Sequence, residues 1–313
     1  MTAEKKRNGS ATGNDTPWKR PDISDGVIPA EPVQAVGWFV SLRTSLAKYL
    51  SKETRIMNKP VVVIGIGELG SVFARGLLRC GHPVIPIIRG IDMAVEADTT
   101  PDPALVLVAV AENDLHPTME HIPEPWRERL CLLQNELLPR DWQNHAIHTP
   151  TVIAVWFEKK KGQDVKVLLS SPVYGPQTTL IQAALTAVDI PAHAVADKTE
   201  MLYELVRKNV YILTINIAGL VTGGTVTELW RDHQTLAREI ADEIIAIQEW
   251  LTDEELPRDR MIEGMLEAFA GDPDHKCLGR TALPRLRRAL TYADETGLAV
   301  PKLREIYASC ADK

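Results

Sequence analysis

The run Val61-Val62-Val63-Ile64, followed at once by Gly65-Ile66-Gly67-Glu68-Leu69-Gly70, constrains the fold more than any other stretch of this chain. Four β-branched residues make one short buried strand. Val72, Phe73, Leu77 and Leu78 then recur at helical spacing, Gly81 ends that helix, and Val84 to Ile88 reads as a second buried strand. Strand, glycine loop, helix and strand are the setting in which a GxGxxG pattern signals a bound dinucleotide. Gly65 permits the tight turn, Gly67 lets backbone approach a diphosphate, and Gly70 lets the helix lie against the sheet. The helix N-terminus offers free N–H groups and partial positive charge to phosphate oxygens. Residues 65 to 70 are therefore the expected cofactor loop.

The end of the second strand discriminates between cofactors. An NAD site places Asp or Glu there to accept from the ribose 2′-hydroxyl, whereas an arginine suits the 2′-phosphate of NADP. Here the residue is Arg89, so NADP is the expected cofactor, with Asp92 nearby as the counter-indication.

At 313 residues the chain has room for two domains with sizeable cores. A net charge of −7 speaks against a dedicated nucleic-acid partner, and no apolar run reaches the length of a membrane span. Cys80, Cys131, Cys277 and Cys310 are scattered without a CxxC pair, which fits reduced thiols and a cytoplasmic location. The histidines suggest no metal site, and His145 and His148 read as solvated loop residues. Residues 1–56 form an extension. Its first thirty residues are polar enough for disorder, and Val36, Phe39, Leu42, Leu46 and Leu50 fit a short amphipathic helix. Met57 is an equally good start for the folded part.

After Arg89 there is little room for another full helix before the buried strand Ala104 to Val110. A further strand, Leu130 to Leu133, ends in Gln134-Asn135-Glu136. Asn135 stands where ligands bind in open α/β sheets, and either contacts the cofactor or simply forms a turn. Thr151 to Phe157 and Val165 to Leu169 read as a strand pair with the lysine run 159–161 at a solvated tip. Ser170 to Thr178 reads as punctuation, and the periodicity is helical from Thr179. The expected organisation is an α/β Rossmann-type domain, 57–175, followed by an all-α domain, 176–313.

One long helical pattern covers Ala196 to Val221 and is apolar nearly all round in its second half, the mark of a buried helix. Lys208 and Asn216 lie a little over two turns apart, on broadly one face. Lys208 either pairs with Glu204 at the surface or points into a cleft between the domains. In a cleft its ammonium could protonate a carbonyl oxygen.

The glycine loop, Arg89 after the second strand, the Gln134-Asn135 pair and Lys208 on a helix opening an all-α domain together resemble ketopantoate reductase (2-dehydropantoate 2-reductase). Gly279-Arg280-Thr281 before a helix, and Ala293-Asp-Glu-Thr-Gly-Leu-Ala-Val-Pro301, are similar to that family's closing motifs. The resemblance covers Met57 to the C-terminus. It implies NADPH-dependent reduction of a 2-oxo acid, a small carbonyl substrate in the interdomain cleft, and an assembly compatible with a homodimer. It also implies 2′-phosphate contact at Arg89, cofactor contact at Asn135, a catalytic Lys208 and substrate contact at Asn216. A wider kinship with the 6-phosphogluconate and β-hydroxyacid dehydrogenases is the related alternative.

Several positions depart from the family pattern. Ile212 stands where a second asparagine is usual, Ala111 where a lysine is, Glu136 where a glycine is, and Ala282 where the acid of the GRxTE segment is. The serine-bearing segment before it is replaced by Asp272-Pro-Asp-His-Lys276, within which Asp272, Asp274 or His275 could supply an acid. Each lost charged hydrogen bond is worth about 1.5–3 kcal/mol, so ketopantoate itself is disfavoured as substrate. The same departures motivate a second reading, a non-catalytic NADP-binding sensor or scaffold.

Overall fold

The computed structural model describes residues 58 to 311, so the extension 1–56, with its expected disorder and helix, lies outside the described residues. The glycine segment folds as strand β1 (Val61–Ile64), helix α1 (Glu68–Arg79) and strand β2 (Val84–Ile87). Helix α2 (Met93–Thr99) leads to β3 (Leu105–Val108), α3 (Leu115–Glu120), β4 (Leu130–Leu132), α4 (Pro139–Gln143) and β5 (Thr151–Ile153). A hairpin of β6 (Phe157–Glu158) and β7 (Lys166–Val167) precedes β8 (Ser171–Tyr174), α5 (Thr178–Thr186) and β9 (Ala192–Ala194). The remainder is helical: α6 (Lys198–Thr222), α7 (Val226–Asp232), α8 (Gln234–Thr252), α9 (Arg258–Gly271), α10 (Ala282–Thr296) and α11 (Pro301–Ala311).

Seven strands form one sheet in the order β2-β1-β3-β4-β5-β8-β9. β1 pairs in parallel with β2 and β3, and only the β5–β8 pairing is antiparallel. Alternation along the buried strands sends Val61, Val63, Leu105 and Leu107 to one face, against Phe73 and Leu77 of α1 and Ile181 and Leu185 of α5. Val62, Ile64, Val106 and Val108 face the other way, against Leu115, Met119 and Trp126. The carboxyl ends of β1, β3 and β4 thus open on one side, where loops carry polar residues.

α6 organises the helical part. Asp197 caps it, accepting from the backbone nitrogens of Thr199 and Glu200 at 2.8 and 2.9 Å. Twenty-five residues later it stops at Gly223, where φ is +62°. Val206, Val210, Leu213 and Ile217 pack with Ile240, Ile244 and Ile247 of α8 and with Leu286 and Ala289 of α10. Its buried, all-round apolar character is as the sequence indicates. The closing motif has a physical basis too: Gly297 ends α10 in the left-handed conformation and Pro301 opens α11. No helix among the described residues is long and apolar enough to cross a membrane.

Some local expectations are corrected. A seven-residue helix, α2, fits after Arg89, and Asp92 is its N-cap, accepting from the nitrogen of Ala94 at 2.8 Å. β5 belongs to the main sheet, and the hairpin is confined to β6 and β7. Ser171–Tyr174 is a strand rather than a turn. Pro172 is tolerated there because its carbonyl is what the ladder uses, accepting from Ala154. The sheet resumes once more at β9, a three-residue strand too short to break a helical periodicity on paper.

Gly76 in α1 sits against α5 so closely that an added Cβ would lie 2.1 Å from the carbonyl oxygen of Ala184. Helix propensity favours Gly76→Ala by about 1 kcal/mol, but forcing the two backbones apart costs about 1–3 kcal/mol. The expected outcome is a lower urea midpoint for Gly76→Ala; an unchanged or higher midpoint would contradict this packing.

Candidate active site

The glycine loop takes the geometry its spacing implies. Gly65 has φ +92°, and a Cβ there would stand 2.7 Å from the carbonyl oxygen of Ala109. Gly70 lies so close to Gly65 that its Cβ would be 2.0 Å from that carbonyl oxygen. At Gly67, by contrast, a Cβ would meet nothing within 4 Å: the backbone faces open space. Gly67 is also the N-cap of α1 and has no side chain to satisfy the first-turn N–H groups. Ile66 and Glu68 are exposed and Leu69 is half-buried beside them. Gly65 and Arg89 end adjacent parallel strands, with the nitrogen of Gly65 donating to Ile87 at 2.9 Å. Arg89 is exposed, has no ion pair among the described residues, and lies outside the cavity lining.

The loop opens into a cleft of about 650 Å³ between the sheet's carboxyl ends and the helices. Gly67, Glu68 and Leu69 of the glycine segment, Asn135 after β4, and Lys208, Ile212 and Asn216 of α6 all line it. Lys208 is therefore no surface lysine. It is 8% exposed and donates to the carbonyl oxygen of Val155, with its ammonium 5.9 Å from the centre of the Trp156 ring. Glu204 pairs with Arg207 instead, at 3.4 Å. Burial pulls the Lys208 ammonium down to about 7; the neighbouring positive Arg285 adds to the fall and Glu112 opposes it. An amine of that kind exchanges its proton near neutrality, as a general acid must.

Arg285, which no motif singled out, is 4% exposed at the back of the cleft. Its Nε donates to Glu136 at 2.9 Å, Nη1 to Asn216 Oδ1 at 2.9 Å and Nη2 to Glu112 at 2.5 Å. Arg288, one turn along α10, also donates to Glu136, at 2.5 and 3.1 Å. Asn135 joins the cluster by donating to Glu112 at 2.8 Å. Two carboxylates from the strand ends thus meet two guanidiniums of α10, and the buried Arg285 charge is paired. Gln134, 5% exposed, donates to the carbonyl of Val108 at 2.7 Å and so ties the ends of β3 and β4. The positions read as lost, Ala111 and Ala282, adjoin charges of reversed sign: acid on the strand side, arginine on the helix side.

With this geometry in place, four-fifths of the chain matches solved structures. A 2-dehydropantoate 2-reductase from Methylococcus capsulatus is 16% identical, with 80% of this chain and 94% of that one covered at a TM-score of 0.58. A ketopantoate reductase from Ralstonia eutropha JMP134 is 18% identical over 80% of this chain and 97% of its own, also at 0.58. A D-mandelate dehydrogenase in complex with NADH is 14% identical over 81% and 98%, again at 0.58. This is the ketopantoate reductase fold. No family model and no curated protein matches the chain.

Within that fold the structure brings together the glycine loop, Asn135, Lys208 and Asn216 around one cleft. It also brings Glu112, Arg285 and Lys159 into the lining, none of which the sequence assigned to the site, with Glu136 and Arg288 bonded behind them. Arg285 had one signal. It lies on the apolar stripe Ala282, Leu286, Ala289 and Ala293 of α10, where a charge is out of place. Trp156 Nε1 and the Tyr211 hydroxyl, both of cleft-lining residues, have no hydrogen-bond partner among the described residues. Asp272 does not act as a free acid: it is 3% exposed and bonded to Lys166 at 2.6 Å and to His275 at 3.3 Å. Glu158, Asp272 and His275 bring potential metal ligands within 4.8 Å of one another, a cluster not anticipated from spacing, and the Lys166 ammonium already serves as its cation. His145 is not simply solvated either; its ring nitrogen lies 2.9 Å from that of His116.

The lowered Lys208 pKa has a measurable consequence for stability. Between pH 7 and 10.5 the unfolded chain holds this proton and the folded chain does not, so the contribution of Lys208 to stability rises with pH across that window. Urea unfolding of the wild type and Lys208→Met at pH 7 and 9.5 should show the wild type gaining about 3 kcal/mol relative to the variant. A pH-independent difference would mean that Lys208 titrates normally.

Proposed function

We propose that this protein is an NADPH-dependent reductase of a 2-oxo acid or related carbonyl, with Lys208 as its general acid. The observation that carries the reading is a buried lysine, drawn down to about 7, that faces an open cleft also lined by a GxGxxG loop. The loop fits a dinucleotide. Gly67 leaves space where a Cβ would stand, and Gly65 and Gly70 allow the strand end and helix to close behind it. Residues 65 to 70 would hold the diphosphate, Arg89 the 2′-phosphate, and Asn135, through its free carbonyl oxygen, the nicotinamide side. NADPH supplies the hydride.

The remaining chemistry belongs to side chains of this chain. Lys208 donates its proton to the carbonyl oxygen as negative charge develops there, and the Val155 carbonyl and Trp156 ring hold the ammonium in place beforehand. Arg285 fixes the Asn216 oxygen, leaving the Asn216 amide nitrogen to donate to the substrate. Buried Val155 and Trp156 and half-buried Ile212 keep water from the Lys208 side of the cleft. The arrangement is proposed to work in a reducing, cytoplasmic setting, consistent with four free cysteines. A homodimer is the proposed assembly; a ketopantoate reductase of the same fold from Staphylococcus aureus is described as dimeric.

A second reading, a cofactor-binding sensor, is favoured by one observation. Asn135 and Asn216 are both already bonded to the charge cluster, and Ile212 and Ala282 offer a substrate no polar group. NADPH oxidation across a panel of 2-oxo acids, ketopantoate included, separates the two: turnover supports the reductase, and tight binding without oxidation supports the sensor. With an accepted substrate, Lys208→Ala should lower kcat by roughly 10²- to 10⁴-fold while NADPH affinity stays near wild type. Because the protonated amine is the donor, wild-type kcat should fall as pH rises through about 7. Arg89→Ala should weaken NADPH by about tenfold and leave NADH unchanged. Full turnover by Lys208→Ala would remove the lysine from the mechanism.

A further inference from the structure

Glu68 is an odd residue to find at the first position of α1. If the cleft holds a dinucleotide, its carboxylate stands beside the diphosphate, where like charges repel. The structure supplies a partner from an unexpected direction. Lys159, in the turn of the β6–β7 hairpin, is half-buried, and its ammonium lies 3.3 Å from Glu68. The same ammonium donates to the carbonyl oxygens of Lys160, at 2.9 Å, and of Gln163. It is therefore held at the hairpin tip rather than sweeping through solvent. Lys159, Glu68 and Gly67 line the same cleft.

The hairpin itself is anchored from behind. Lys166 of β7 reaches the buried Asp272 at 2.6 Å, and Gly271 lies so close that a Cβ there would be 2.2 Å from the carbonyl oxygen of Leu168. The hairpin is thus seated on the helical part while its tip reaches the glycine loop of the sheet.

We propose that Lys159 is a phosphate ligand: its ammonium neutralises Glu68 in the free protein and contacts the cofactor diphosphate when the dinucleotide binds. The assignment rests on the dinucleotide reading of the cleft and adds to it a binding residue from outside the glycine motif. It concerns the diphosphate, because Lys159 sits at the loop, whereas Arg89 follows the neighbouring strand outside the cleft lining.

Fluorescence titration of the full-length protein with NADPH and with NADH, at low and at high salt, tests it. At low salt Lys159→Ala, and Lys159→Gln as a second variant, should weaken both dinucleotides by about tenfold, the loss of one charge-assisted contact. The deficit should shrink at high salt, and Lys159→Arg should recover most of the affinity. Glu68→Gln should tighten both. Equal affinities of wild type and Lys159→Ala for both dinucleotides would overturn the assignment, as would a loss confined to NADPH, which would place the ammonium at the 2′-phosphate. A wild type that binds neither dinucleotide would overturn the dinucleotide reading and this inference with it. Binding by the wild type that Lys159→Ala leaves untouched would overturn this inference alone.

Discussion

The guanidinium of Arg285 is the contact on which the geometry of the cleft depends. Its three nitrogens reach three separate parts of the chain: Glu112 beyond β3, Glu136 beyond β4 and Asn216 on α6. A buried guanidinium is tolerable only when its donors are paired. That requirement fixes how close the long helix stands to the strand ends, and hence where Lys208 projects. The same positive charge adds to burial in drawing Lys208 down toward neutrality. Removing it would strip Glu112 of its 2.5 Å partner, leave Arg288 alone against Glu112 and Glu136, and take the like charge away from the Lys208 ammonium. Arg285 and Lys208 are therefore electrostatically one system.

The cluster also changes the meaning of the departures from the ketopantoate reductase pattern. Ala111 and Ala282 lack the basic and acidic groups the resemblance implies, yet Glu112 and Arg285 supply a contact across the same cleft with the signs exchanged. A tie between strand ends and helices is kept while the polarity of the far wall is inverted. Each nitrogen of Arg285 already donates to the protein, which leaves two of its five N–H groups uncommitted. Trp156 Nε1 and the Tyr211 hydroxyl, of cleft-lining residues, have no partner among the described residues, and Arg285 engages only the oxygen of the Asn216 amide. On the proposed function, this is a cleft adapted to a different carbonyl compound.

What could be read from the sequence was local, or periodic over a long stretch. The glycine loop declared itself because turn, close approach and helix packing each demand glycine within six residues. The buried α6 declared itself by an apolar surface on all sides. Gly297 and Pro301 marked where helices stop and start. Features that depend on distant residues were not legible. Glu112 and Arg285 are 173 residues apart and Glu68 and Lys159 are 91 apart, so no spacing rule joins them. The lysine run looked like a solvated tip because nothing nearby shows that the hairpin leans onto the glycine loop. β8 and β9 escaped for another reason: Pro172 reads as a breaker until its carbonyl is seen to serve the ladder, and three residues carry no period.

The central claim is that Lys208 is a buried amine that exchanges its proton near neutrality. It is tested most directly by isotope-edited NMR titration of the Lys208 side chain in the full-length protein, assigned by comparison with Lys208→Met. The account predicts a midpoint near 7 that rises when Arg285→Gln removes the adjacent charge. A midpoint near 10.5, unmoved by that substitution, would contradict it.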